Sequence, residues 1–181
     1  MSGWRGFVGR LVGVPPLPAG WPGRLDGGED VVAVGALSGG GHLVLTQLGV
    51  WVPEPPGGAR RVGWERVSKA VWDRSAVLLT EAVVEDVAGA AEVLRDLPVR
   101  RWVLTDPGRV PEQLRERVTR SIRTSQHRDV PGGGAWFVQR KVPGRDGVVL
   151  QVRPDPGTPA DAVRAVAAEV AERLAQVRRE V

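Results

Sequence analysis

Between Val31 and Val62 the chain is cut into apolar runs too short to be helices. They are separated by Ser38-Gly39-Gly40-Gly41 and by the Pro- and Gly-rich stretch 53–58. Glycine supplies the positive φ of tight turns and proline stops helices, so this punctuation selects short strands joined by turns. Such strands bury their apolar faces as an antiparallel meander, and a small barrel or curled sheet closed at one end by a helix is the natural form. Expected strands are 31–37, 42–47, 49–52 and an extended 60–62, then 76–80 after a tight turn at Asp73-Arg74-Ser75, in which the Asp73 side chain is the expected initiator. Another is expected at 100–105, with Trp102 and Leu104 on one face. The stretch 83–97, rich in Ala and Glu, reads as a strand followed by a short helix or a long loop.

Two helices are expected further on. The first covers 111–124, with Pro111 at its first position and Val110, Leu114, Val118 and Ile122 spaced four apart as a buried stripe. The second covers 159–179, opened by a capping box of Thr158 and Asp161. Its stripe of Val163, Val166, Val170, Leu174 and Val177 must dock on the same domain or on a partner helix. Between the helices, Pro131-Gly132-Gly133-Gly134 introduces a hairpin of 135–141 and 148–153. Before the first strand, residues 1–29 form a Pro- and Gly-rich arm, with a short amphipathic helix possible at 4–12.

Composition excludes several chemistries. Cysteine is absent, which removes disulfides, thiolate nucleophiles and thiolate metal sites. His42 and His127 are the only imidazoles, so no metal or cofactor is expected. Ser38 after Ala36-Leu37 superficially resembles a nucleophile elbow, but a strand rather than a helix follows. Neither that serine nor a triad imagined from Ser38, His42 and Asp30 is demanded by the spacing, and a non-enzymatic protein is expected. No run approaches a transmembrane length, and the expected location is cytoplasmic.

Charge is unevenly placed. The chain carries +4 overall, but residues 95–153 alone carry +7, against −2 before them and −1 after. Nearly all the basic groups are arginines, and the scarcity of Lys, Ile, Asn and Tyr is the pattern of a high-GC genome rather than of nucleic-acid selection. Guanidinium groups bind phosphate bidentately, so Arg115, Arg117, Arg120 and Arg123, joined in space by Arg128, Arg140 and Lys141, are candidate anion-binding residues. The alternative is a solvated helix face partly neutralised by Glu112 and Glu116. No aromatic side chains interleave with these arginines, which disfavours nucleic acid as a partner. Seven tryptophans are present. Trp64, Trp72, Trp102 and Trp136 fall on or beside expected strands and read as core. Trp4, Phe7 and Trp21 in the arm are candidate anchors to a membrane interface or a partner, against the favoured alternative that the arm packs on its own barrel.

The succession of strands 31–37, 41–47 and 49–52, then Gly63-Trp64-Glu65-Arg66-Val67, Ala70-Val71-Trp72-Asp73, a strand at 77–80 and later Arg115-Glu116-Arg117-Val118-Thr119-Arg120-Ser121, resembles bacterial pleckstrin-homology-like (PH-like) domains. It is most similar to short actinobacterial proteins of unknown function. The resemblance spans about residues 30–155 and implies an α+β fold, a partly open antiparallel β-barrel with a capping helix. The hairpin and the last helix are additions to that barrel, and either 111–124 or 159–179 can be its cap. The organisation implied is an arm (1–29), a barrel domain (30–157) and a C-terminal helix packed on it (158–181). The fold implies a platform for a ligand or partner, not a reaction. The expected function is a non-catalytic binding or scaffold module contacting an unidentified protein. The alternative is peripheral binding of anionic lipid head groups through 95–153. The oligomeric state is left open.

Overall fold

A computed structural model describes residues 15–179. Four strands open the fold: β1 (Val31–Leu37), β2 (His42–Thr46), β3 (Gly49–Glu54) and β4 (Gly58–Gly63). They pair as the antiparallel meander that the turn punctuation dictates. Gly40 and Gly41 take the positive φ of the first turn. A single 3-10 turn, Trp64–Arg66, leads to β5 (Val67–Asp73) and β6 (Ala76–Ala88), whose hairpin closes on the Asp73 backbone carbonyl rather than on its side chain. The remaining elements are β7 (Ala91–Asp96), β8 (Arg100–Asp106), α1 (Val110–Ser121), β9 (Ile122–Val130), β10 (Gly133–Lys141), β11 (Val148–Pro154) and α2 (Ala160–Arg179).

The fold is α+β, a large open sheet of eleven strands with two helices. Strand order is β4-β3-β2-β1-β8-β6-β7-β11-β10-β9, with β5 beside β6. Every pairing is antiparallel except β7 with β11. The thirteen residues of β6 serve two neighbourhoods. Its first part pairs with β8 and β5, and its second part, from Ala82, pairs with β7.

Each neighbourhood has its own core. Under α1, Val110 and Leu114 pack with Leu43, Leu45, Val52, Trp64 and Leu79. Under α2, Val163, Ala167, Val170 and Ala171 pack with Ala88, Val93, Phe137 and Val152. A smaller cluster covers the outer face of the meander, where Trp21 and Leu25 of the arm lie on Val31, Val44 and Trp51. Burying each such Val, Leu or Phe contributes about 1.5–3 kcal/mol. Between the two main cores the contacts are polar. Arg66 makes a bidentate pair with Glu92 on β7, and Gln151 Nε2 donates to the Glu65 carbonyl.

The structure departs from the sequence expectations in defined places. The stretch 83–97 is neither helix nor loop: β6 runs on to Ala88, Gly89 turns the chain at φ +61, and β7 returns. The helix expected over 111–124 ends at Ser121, so Ile122 leaves the buried stripe and begins β9, 37% exposed. The Ile122 N–H caps the helix by donating to the Thr119 carbonyl, with Ile122 already extended. Within the Pro131–Gly134 break, Pro131 and Gly132 form the tight turn of a β9–β10 hairpin, and Gly133 and Gly134 already belong to β10. Thr158 does not close a capping box: its hydroxyl donates to the Gly134 carbonyl at 2.9 Å and accepts from the Gly134 N–H. Trp136, read as core, is 47% exposed.

Candidate basic pocket at the end of helix α1

Three segments converge beside Trp64. The C-terminal part of α1 contributes Arg117 and Arg120, the start of β9 contributes Arg123, the end of β10 contributes Lys141, and the β10–β11 connection contributes Arg145. They surround a cavity of about 420 Å³, floored by Trp64 and Ser121 and walled opposite by Pro143, Gly144 and Gly147. Gly144 and Gly147 adopt φ +75 and +89, which lets this short connection turn back over the cavity.

The convergence follows from a buried arginine. Arg140 is 1% exposed. Its Nη1 donates to the Trp64 carbonyl at 3.0 Å and to Ser121 Oγ at 2.8 Å. Ser121 Oγ in turn donates to the Val118 carbonyl at 2.7 Å. Arg140 therefore ties the end of α1 and the 3-10 turn to β10, while Trp64 Nε1 donates to the Thr46 carbonyl. Burial, reinforced by the neighbouring Arg153 charge, lowers the Arg140 pKa to about 10, with Glu65 and Asp96 acting the other way. The group still carries its proton at neutral pH.

The pocket is strongly cationic. Arg120 pairs with Glu116 at 2.9 Å, and Asp146 is the one acidic residue in the lining. Among the described residues, Arg117, Arg123, Lys141 and Arg145 form no ion pair. The carbonyl end of α1 would repel an anion. Here the Ser121 hydroxyl and the Ile122 N–H already occupy two of its carbonyls. A larger cleft of about 810 Å³ lies between β7 and the start of α2. Its lining holds four acidic residues, Glu85, Asp86, Asp96 and Asp155, against three arginines, with Arg164 paired to Asp86 at 2.8 Å and Arg95 to Glu85 at 3.1 Å. It therefore presents no comparable field.

Of the sequence candidates, Arg117, Arg120, Arg123 and Lys141 meet in this pocket. Arg115 lies apart on α1, beside Trp72 and Glu112. Arg128 sits far along β9, its guanidinium carbon 5.6 Å from the centre of the Phe137 ring and its Nη2 donating to Gln126. Arg140 is a tether beneath the pocket, not a lining residue. Trp21 is not a free anchor: its ring meets Trp51 edge-on at 5.3 Å. Trp4 and Phe7 lie outside the described residues. Ser38 occupies the β1–β2 turn, and no hydrogen bond links it to His42 or Asp30 among the described residues. No group of three potential metal ligands occurs among the described residues.

Sequence reasoning missed Arg145, which lies in a Gly-rich connection whose direction no periodicity reveals. It also missed Glu29. That carboxylate is fully buried and accepts from Thr46 Oγ1 at 2.6 Å, Arg61 Nη1 at 2.7 Å, the Asp26 N–H at 2.9 Å and Trp51 Nε1 at 3.0 Å. It joins the arm to β2, β3 and β4. No protein family, curated protein or solved structure matches the chain.

Proposed function

We propose that the protein is a non-catalytic binding module whose basic pocket seats a phosphate-bearing group presented by an anionic surface. The observation that carries this is the five cationic side chains around one cavity, four of them without an ion pair among the described residues. Arg and Lys donors in that arrangement suit phosphate oxygens, which accept several charge-assisted hydrogen bonds at once. Among the described residues, two surfaces that a protein partner could use are occupied within the chain, Trp21 by Trp51 and the apolar stripe of α2 by the second core. Within this reading, strands β1–β6 and β8 with α1 over one end form a PH-like, partly open barrel. The packing of α1 on β1, β2 and β5 supports it. A cytoplasmic protein working at a membrane surface is the setting this reading implies. No helix among the described residues is long and apolar enough to cross a membrane.

Co-sedimentation tests the reading. The chain is expected to pellet with phosphatidylserine-containing vesicles, not with pure phosphatidylcholine, and to be released as salt screens the attraction. Replacing Lys141 and Arg145 by Gln removes about 1 kcal/mol each near an anionic surface and weakens vesicle binding roughly thirtyfold. Direct titration of the chain with inorganic pyrophosphate separates the two sources of the phosphate. Pyrophosphate binding with no vesicle pelleting assigns the pocket to a soluble phosphate. Failure to bind either one sinks the reading.

A further inference from the structure

Strand β9 ends the sheet order, and its outer edge pairs with no strand among the described residues. At the opposite end β4 is fenced by side-chain ion pairs, Arg60 with Glu54 and Glu81, and Arg61 with Asp26 and Glu29. Among the described residues β9 carries one comparable contact, His127 with Asp155 at 2.7 Å, and it lies over Gly134 of β10 rather than along the outer edge. Residues 122–129 are all exposed, although β9 keeps continuous register with β10 from Thr124 to Val130. The one irregularity lies at the very start, between Thr124 and Ile122, where Arg123 has no directly opposed residue on β10. A long, regular, uncovered edge is a template for another strand unless bulges or repulsive charges block it.

The sequence of this edge fits one partner. When β9 is laid antiparallel on a copy of itself about Gln126, Ser125 faces His127 of the second copy and Thr124 faces its Arg128. Arg123 then faces its Asp129, and by the two-fold symmetry this pair occurs twice. Directly opposed residues share a face of the sheet. Arg123 and Asp129 lie an even number of positions apart and so share one side of β9. Neither makes an ion pair within the chain among the described residues. We infer that β9 is a self-pairing edge: two copies of this chain join β9 to β9 in antiparallel register centred on Gln126, which extends the sheet across a two-fold axis. A strand pair alone buries less than the roughly 1,600 Å² of a standard stable interface, so the dimer is weak and reversible. Arg123 also lines the basic pocket, so association is read on the chain alone, with neither vesicles nor phosphate present, and its outcome is separate from that of the binding test.

Sedimentation velocity of the full chain across a concentration series reads the association. A reversible monomer–dimer equilibrium is expected. Asp129→Arg sets like charges opposite each other at both ends and weakens dimerisation about tenfold. Combining it with Arg123→Asp restores the wild-type affinity. Because the chain has no cysteine, Gln126→Cys adds a single thiol at the two-fold centre. There the opposed Cα atoms lie at a spacing that a disulfide spans. Mild oxidation should therefore crosslink it into dimers, while Ser125→Cys, facing a histidine, crosslinks far less. A chain monomeric at every concentration overturns the inference. So does a dimer that Asp129→Arg leaves unweakened, or equal crosslinking at positions 125 and 126.

Discussion

Glu29 shows how a single carboxylate can fasten a segment that has no secondary structure of its own. Burial alone would raise its pKa. The hydrogen bonds from Thr46, the Asp26 N–H and Trp51, with the Arg61 charge, outweigh burial and hold it below the ordinary carboxylate value. A carboxylate whose pKa is lower folded than unfolded adds stability that is full above the unfolded value. That stability disappears as pH falls through the folded one. Acid unfolding followed by tryptophan emission should therefore steepen below about pH 4.5. Glu29→Gln should flatten that limb and cost roughly 2–3 kcal/mol at neutral pH, because Arg61 and Thr46 lose a charged acceptor. In the sequence Glu29 is only an acidic residue ahead of a strand. Its donors come from as far away as Arg61, and no local pattern announces such a convergence. The basic pocket was partly legible, because the excess of arginine in 95–153 is a property of composition. Which arginines face one another was not legible, since it depends on where α1 stops.

At the scale of the element, legibility follows the polarity of the faces. β1 alternates buried and half-buried residues while β2 and β3 run apolar with both faces covered, and all three are legible in the sequence within a residue or two. β9 has no buried face until Val130, so its polar residues carry no period-two signal: residues 122–124 read as the end of a helix and 125–130 as a connecting loop. The β6–β7 hairpin was obscured differently: Ala and Glu favour helices, and tertiary pairing overrode that preference. The stripe on α2 was read correctly, yet its members are unequal. Val163 and Val170 are buried together with Ala167 and Ala171, while Val177 is 59% exposed. Ala167→Asp should therefore bury an unpaired charge and cost more than about 3 kcal/mol, whereas Val177→Asp should stay within about 0.5 kcal/mol. Urea denaturation of the two variants checks the contrast.

Across the whole molecule, β6 belongs to both cores, and the Arg66–Glu92 and Gln151–Glu65 contacts bridge them. Unfolding should consequently be a single transition. Tryptophan emission, dominated by rings in and around the α1 core, and far-UV circular dichroism, to which α2 contributes most of the helix, should report the same midpoint. Two separated midpoints would show that the halves melt independently. The same arrangement orders events on the ribosome. Every side chain of the α1 core lies at or before Val118, so that half can consolidate once α1 has left the exit tunnel. The other core joins Ala88, Ala91 and Val93 to residues from Val130 onward, and the parallel partner of β7 is β11. While the rest of the chain is being translated, β7 is held out on a folded body with its edge uncovered. Synthesis thus contains a pause in which a finished half displays an unfinished seam, and that is the interval in which a nascent-chain chaperone has something to hold.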